Sequence, residues 1–159
     1  MPTIYLNIGS NNGDRHALIE QAVAAVSEIF PGARVRRSDY IETDPWGFES
    51  ENRFLNIGVA VTVDDGDWGQ EQCLQTLHKI AAVERGIDAS PHRDSEGNYI
   101  DRKIDIDIIA IDDMAMDTPE LTLPHPRMHL REFVLKPMAQ LAPEWRHPVL
   151  NRTAKELIK

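Results

Sequence analysis

The 159-residue chain holds one cysteine, Cys73, so no internal disulfide can form. Its setting, Gln72-Cys73-Leu74 within a helical pattern, reads as buried packing rather than a reactive thiol. No apolar run approaches the roughly 20 residues that a membrane-spanning helix needs. The opening segment Met1-Pro2-Thr3-Ile4-Tyr5-Leu6-Asn7 has no basic flank followed by an apolar stretch. That excludes a secretory signal and predicts an immediate strand. A cytoplasmic protein without membrane association is the expectation. Basic residues are in deficit: 17 Lys and Arg against 26 Asp and Glu leave a formal charge of −9. Such a balance excludes a nucleic-acid partner, which would require a basic face against phosphates. Neither glycine-rich phosphate cradle, G-x-x-x-x-G-K-S/T or G-x-G-x-x-G, is present. With no repeat, low-complexity tract or long linker, one domain over residues 1–159 is expected.

What is present is a regular alternation of elements. Thr3 to Ile8 reads as a strand that ends in the turn Gly9-Ser10-Asn11-Asn12-Gly13. Asp14 or Asn12 caps the helix that follows, whose stripe is Leu18, Ala22, Val26 and Ile29. Pro31-Gly32 ends it. Val35 to Ile41 predicts a second strand. Leu55, Ile57, Val59, Val61 and Val63 alternate with Phe54, Asn56, Gly58, Ala60 and Thr62, the clearest strand in the chain. A second helix spans about Trp68 to Glu84. Gly86 to Asp101 forms a polar loop of about sixteen residues, long enough to suggest a lid. Lys103 to Ile111 is a further strand, followed by the turn Leu123-Pro124-His125-Pro126 and helices near Leu130 to Ala139 and Thr153 to Ile158. The order β-α-β-β-α-β predicts an α+β fold, a split βαβ unit with helices on one face of a mainly antiparallel sheet.

The chemistry concentrates in Ile104-Asp105-Ile106-Asp107-Ile108. Alternation along a strand places both carboxylates on one face and the isoleucines in the core. Two like charges about 7 Å apart need an offsetting cation, and Mg²⁺ completed by substrate phosphates meets that need. The other reading is a pair of acids on a solvated sheet face. Arg102, Lys103, His125, Arg127, His129 and Arg131 cluster around the pair in sequence, which in an acidic chain favours an anionic ligand. Thr43-Asp44-Pro45-Trp46-Gly47-Phe48 with Phe54 and Asn56 offers flat rings beside an amide, suited to a planar heterocycle. The alternative is that Phe54 covers a minor core and Asn56 ends a turn.

These segments together resemble the 6-hydroxymethyl-7,8-dihydropterin pyrophosphokinase family. The likeness runs from Ile4 to about Glu144. It rests on Gly9-Ser10-Asn11, on Phe54-Leu55-Asn56, on Asp101-Arg102-Lys103-Ile104-Asp105-Ile106-Asp107-Ile108-Ile109, and on Leu123-Pro124-His125-Pro126 with Arg131-Glu132-Phe133-Val134-Leu135. The resemblance implies a ferredoxin-like fold and transfer of pyrophosphate from ATP to the pterin alcohol, with AMP released. It implies that Asp105 and Asp107 hold two Mg²⁺ ions, with Arg102 beside them in the catalytic group. Phe54 and Phe133 would sandwich the pterin, Asn56 and the Thr43, Asp44 and Trp46 segment would read its edge, and Tyr99 would close over it. Arg102, His125 and Arg131 would contact the triphosphate of ATP, and Ile108 and Thr122 the nucleoside. The chain departs from the family where Gly-Arg-x-Arg is usual: it reads Glu84-Arg85-Gly86-Ile87-Asp88, with His92 or Arg93 as candidate replacements. His78 stands where a glutamine is common, and Pro126 where the pattern carries an aromatic. A binding module without turnover is the alternative that these departures keep open.

Overall fold

The computed structural model describes residues 1–64, 66–91 and 93–159. Strands β1 (Thr3–Ser10), β4 (Phe54–Thr62) and β5 (Asp105–Ile111) form the centre of an antiparallel sheet. Along the outer edge of β4 lie β2 (Arg34–Arg37) and β3 (Ile41–Thr43), giving the order β2-β4-β1-β5 with β3 also on β4. The expected strand Val35 to Ile41 is thus two strands. Four positions separate Arg37 from Ile41, whereas three separate their partners Val59 and Asn56, so one residue is bulged out. Ser38 drives the break, because its Oγ takes the Gly58 N–H at 2.8 Å in place of a ladder carbonyl.

Helix α1 (Arg15–Ile29) starts at Asp14, whose carboxylate accepts from Ala17 N–H at 3.2 Å. Helix α2 (Gln70–Ile87) runs three residues beyond its expected end at Glu84. Both helices pack against Ile4, Leu6, Ile8, Ile57, Val59, Ile104 and Ile106, forming one core layer. Cys73 is buried there with its Sγ 3.8 Å from Met114 Sδ, and burial pushes its thiol pKa up. The chain therefore uses it as packing.

The opposite face is covered as well, contrary to a one-sided arrangement. Helix α3 (Glu132–Leu141), preceded by a 3₁₀ turn at Met128–Leu130, and the short helix α4 (Ala154–Leu157) enclose a second core with Ile109, Ala110 and Trp145. A bulge makes this possible: Leu6 pairs with Ile108 but Tyr5 with Ala110, so Ile109 and Ala110 both turn toward α3. Close approach requires Gly58, where a Cβ would lie 2.7 Å from Pro137 Cβ and 3.0 Å from Leu141 Cδ1. Pro137 sits inside α3 and has no N–H for the Phe133 carbonyl four residues back. Asn7 Nδ2 donates to that carbonyl instead, at 2.8 Å, tying the first turn of α3 to the central strand. Strands β6 (Met116–Asp117) and β7 (Thr122–Leu123) form a small separate hairpin, and the Leu123–Pro124 peptide is cis. No helix among the described residues is long and apolar enough to cross a membrane.

Candidate active site

The face of the sheet toward α3 carries the polar residues, and strand register lays them out in rows. Ile41, Asn56, Gly9 and Asp105 pair successively across β3, β4, β1 and β5. One pleat further, Gly58, Asn7 and Asp107 form a second row. Interstrand spacing puts the backbones of Asn56 and Asp105 about 10 Å apart. Gly9 is the floor between them. A Cβ at residue 9 would lie 2.4 Å from Asn56 Oδ1, so the carboxamide fits there only because that residue is glycine.

A small cavity, open at its mouth, stands over this floor. Thr43, Asp44, Trp46, Phe54, Asn56, Tyr99 and Phe133, the residues that the resemblance assigns to the pterin, all line it, together with Arg102, Asp105 and Arg131. Asn56 is 3% exposed, and its Nδ2 has no hydrogen-bond partner among the described residues. The same holds for Thr43 Oγ1 and Arg131 Nε. Buried polar atoms without partners are rare in folded proteins. Three of them around one cavity, between aromatic walls, fit a flat ligand with a polar edge.

At the other side of the cavity Arg102 Nη1 stands 3.1 Å from Asp105 Oδ2. Arg131 Nη1 stands 3.7 Å from Asp107 Oδ2, with its guanidinium carbon 4.5 Å from the Trp46 ring centre and 5.6 Å from that of Phe133. Arg131 thus lines the aromatic cavity beside Arg102 and is 8% exposed. Among the described residues no three His, Cys, Asp or Glu side chains gather as a metal-binding group. The two partly open carboxylates on one strand face suit a hard cation that takes its other ligands from phosphate and water.

Thr122 and His125 line a second, shallower groove with Met116, Pro126, His129 and His147. Ile108 is 5% exposed in the α1–α2 core and its side chain lines neither space. His78 pairs with Glu120 at 2.9 Å. His125 Nδ1 accepts from Arg127 N–H at 3.1 Å, which leaves Nε2 as the donor of the neutral ring. Burial, with Arg131 and Arg127 nearby, pushes its pKa from 6.5 down to about 4. A depressed folded-state value means that the unfolded chain binds the proton more readily. Stability is then complete above pH 6.5 and is lost as pH falls toward 4. Replacing His125 with Asn should remove that acid-sensitive component, about 1–3 kcal/mol after allowing for the solvent-facing ring edge. Melting temperatures of both proteins followed from pH 7.5 to 4 check this; parallel curves would refute it.

The loops around the cavity are braced by residues that sequence reading left without a role. Asn11 donates to Asp101 Oδ1 at 2.7 Å and to Asn52 O at 3.2 Å, and its own Oδ1 accepts from Arg102 N–H at 2.7 Å. Asn52 Nδ2 donates to the other Asp101 oxygen at 2.8 Å. Glu84 Oε2 accepts from Ile106 N–H at 2.8 Å, fixing the β5 edge between the two aspartates. The expected lid is not structureless: Arg93 and Tyr99 form a bridge across a tight turn. His92 lies outside the described residues. Asn7 could have been suspected from sequence, since it is the one amide among apolar residues in β1.

A family model described as 7,8-dihydro-6-hydroxymethylpterin-pyrophosphokinase (HPPK) matches residues 5–143. The 2-amino-4-hydroxy-6-hydroxymethyldihydropteridine pyrophosphokinase of Porphyromonas gingivalis is 39% identical over 149 residues, covering 93% of this chain and 95% of that protein. The protein of the same name from Aquifex aeolicus is 32% identical over 156 residues, 98% of this chain and 90% of its own. Among solved structures, wild-type Plasmodium falciparum HPPK-DHPS with pteroate shares the fold, with a TM-score of 0.71 at 16% identity over 98% of this chain. The present chain spans 43% of that longer protein. A match over most of the chain, to relatives of nearly the same length, means that this protein belongs to the 7,8-dihydro-6-hydroxymethylpterin-pyrophosphokinase family.

Proposed function

We propose that the protein, acting as one domain over residues 1–159, transfers pyrophosphate from ATP to 6-hydroxymethyl-7,8-dihydropterin in folate biosynthesis. The row Asn56–Gly9–Asp105 carries this reading, because it sets a buried, unmet amide and a carboxylate at opposite ends of one aromatic-walled cavity. The pterin ring lies between Phe54 and Phe133, a stacking arrangement worth on the order of 1–3 kcal/mol in comparable sites. Asn56 Nδ2 and Thr43 Oγ1 reach its polar edge, and Tyr99 with Trp46 closes the mouth. The hydroxymethyl oxygen then points along the row toward Asp105 and Asp107.

In this reading Asp105 and Asp107 hold Mg²⁺, two ions in the fullest form of the proposal, which neutralise phosphate charge when bound. Arg102 lies beside them and contacts the triphosphate, with His125 offering its Nε2–H as a neutral donor from the second groove. The pterin oxygen bonds to the β-phosphorus, the bond from that phosphorus to the α-phosphate oxygen breaks, AMP leaves with the electron pair, and the hydroxyl proton is released. Positioning and charge neutralisation supply most of the rate in such transfers. Walls that exclude water protect the phosphoryl centre from hydrolysis. The small-molecule substrates are ATP and the pterin, and a cytoplasmic setting, where ATP is supplied, belongs to the same proposal.

Product analysis after incubation with ATP, Mg²⁺ and 6-hydroxymethyl-7,8-dihydropterin tests it. AMP and pterin diphosphate should accumulate one to one. Pterin binding without AMP would leave only a binding module.

A further inference from the structure

We propose that Asn7 is a positioning residue for the pterin: one buried hydrogen bond from its amide fixes the first turn of α3, and with it the Phe133 ring, against the strand row that carries Asp107. This rests on the pyrophosphokinase reading and adds to it a residue outside the cavity wall.

Helix α3 begins without the usual local anchors. Arg131 stands at its N-cap and makes no side-chain hydrogen bond to the first turn, where a Ser, Thr, Asp or Asn would hold a free N–H. Pro137 supplies no N–H, so the Phe133 carbonyl lacks its partner within the helix. Packing beneath the helix is incomplete as well. A small internal cavity lies there, and Asn7, Gly58, Val134 and Pro137 are among the residues around it. Apolar contact alone therefore leaves this turn room to shift.

Asn7 supplies what is missing. It is 5% exposed, and its Nδ2 donates to the Phe133 carbonyl at 2.8 Å from 126 positions away in sequence. Asparagine is a poor strand former, and a buried amide costs free energy unless it is hydrogen-bonded. An apolar side chain would serve β1 better. What only the amide provides is the tie to α3.

Register gives that tie its functional reach. Asn7 pairs with Gly58 on one side and with Asp107 on the other. Phe133 lines the cavity and is the ring that covers the pterin in the reading above. The amide thus joins the ring that bears the pterin to the backbone row that bears a metal carboxylate. Arg131 has anchors of its own in Asp107 and in the Trp46 ring. Loss of the Asn7 bond frees the Phe133 turn to move into the space beneath it, and the phosphate contacts stay in place.

Calorimetric titration tests this, with α,β-methylene-ATP and Mg²⁺ first and then 6-hydroxymethylpterin added to the analogue-saturated protein. The proteins are wild type, Asn7→Leu, Pro137→Ala and the double variant. Asn7→Leu keeps the size of the side chain, excludes water and leaves the carbonyl unmet. It should bind the pterin about tenfold more weakly, the scale of one buried hydrogen bond lost with its partner stranded. Its affinity for the analogue should stay within about twofold of wild type. Pro137→Ala keeps the Cβ that meets Gly58 and restores an N–H four residues after Phe133. Alone it should bind the pterin as wild type does, and in the double variant it should bring affinity back to within about threefold. Should Asn7→Leu fail to fold, the double variant is read against Pro137→Ala. Affinities within about threefold support the tie, and a gap of about tenfold overturns it. A lower melting temperature with unchanged pterin affinity in Asn7→Leu would overturn the proposal, and so would a double variant as weak as Asn7→Leu. Either result leaves the pyrophosphokinase reading intact. A wild-type protein that binds neither the analogue nor the pterin would overturn both.

Discussion

Asp107→Asn should lower kcat by about two to three orders of magnitude, the scale of losing one charge-stabilising group at a phosphoryl or oxyanion site. Of the two carboxylates, Asp107 has the longer ion pair, 3.7 Å to Arg131 against 3.1 Å for Asp105 to Arg102, and the more open side chain. It is the better placed to exchange its arginine for a metal. Asparagine is preferred to alanine because Arg131 is almost buried, and emptying the position would strand a desolvated cation and confuse a folding defect with a chemical one. The variant should keep its affinity for the pterin alone while its affinity for Mg²⁺-ATP falls. Turnover close to wild type would remove the aspartates from the metal role.

The second large effect is expected at Gly9→Ala. The added methyl group meets Asn56 Oδ1 at 2.4 Å and Cγ at 3.3 Å, so the carboxamide must rotate away from the floor it lies on. Pterin affinity should fall about 10- to 100-fold, because a site that fits a polar edge is then left with misdirected donors. Nucleotide affinity should be untouched. Asn56→Ala should weaken pterin binding similarly, and Gly9→Ala added to it should do little more, since the two act through one contact. Full additivity in that double-mutant cycle would show that the glycine serves the sheet and not the amide.

The parts legible in sequence are those set by local pattern. The alternation in 54–62 and the Asp105–Asp107 spacing are strand periodicities, and both survive in the register. The residues gathered around the cavity came from the family resemblance, and the fold brings Thr43, Phe54 and Asn56 from the sheet, Tyr99 from the loop before β5 and Phe133 from α3 together. What escaped depends on partners far along the chain. The split between β2 and β3 follows from Ser38 meeting Gly58. The second core layer follows from the bulge at Ile109 and from Gly58 admitting Pro137. Nothing near Pro137 indicates that Asn7 will satisfy the carbonyl that the proline leaves open. The resemblance sets Arg131 beside Arg102 and His125, and the turn through Met128–Leu130 carries it to the cavity that Arg102 lines, apart from the groove of Thr122 and His125.

The cross-strand row also acts as a ruler. From Asn56 through Gly9 to Asp105, every step is a main-chain ladder pairing, so the span from the amide to the first carboxylate is graduated in strand spacings and not in loop lengths. Main-chain ladders hardly stretch, and insertions in surface loops leave them alone. Loop positions outside the cavity wall and its braces, such as 49–51 and 95–97, are therefore free to diverge in composition while the distance between the two ends of the site stays the same. Lid chemistry can drift in this chain because the measuring is done by the sheet beneath it.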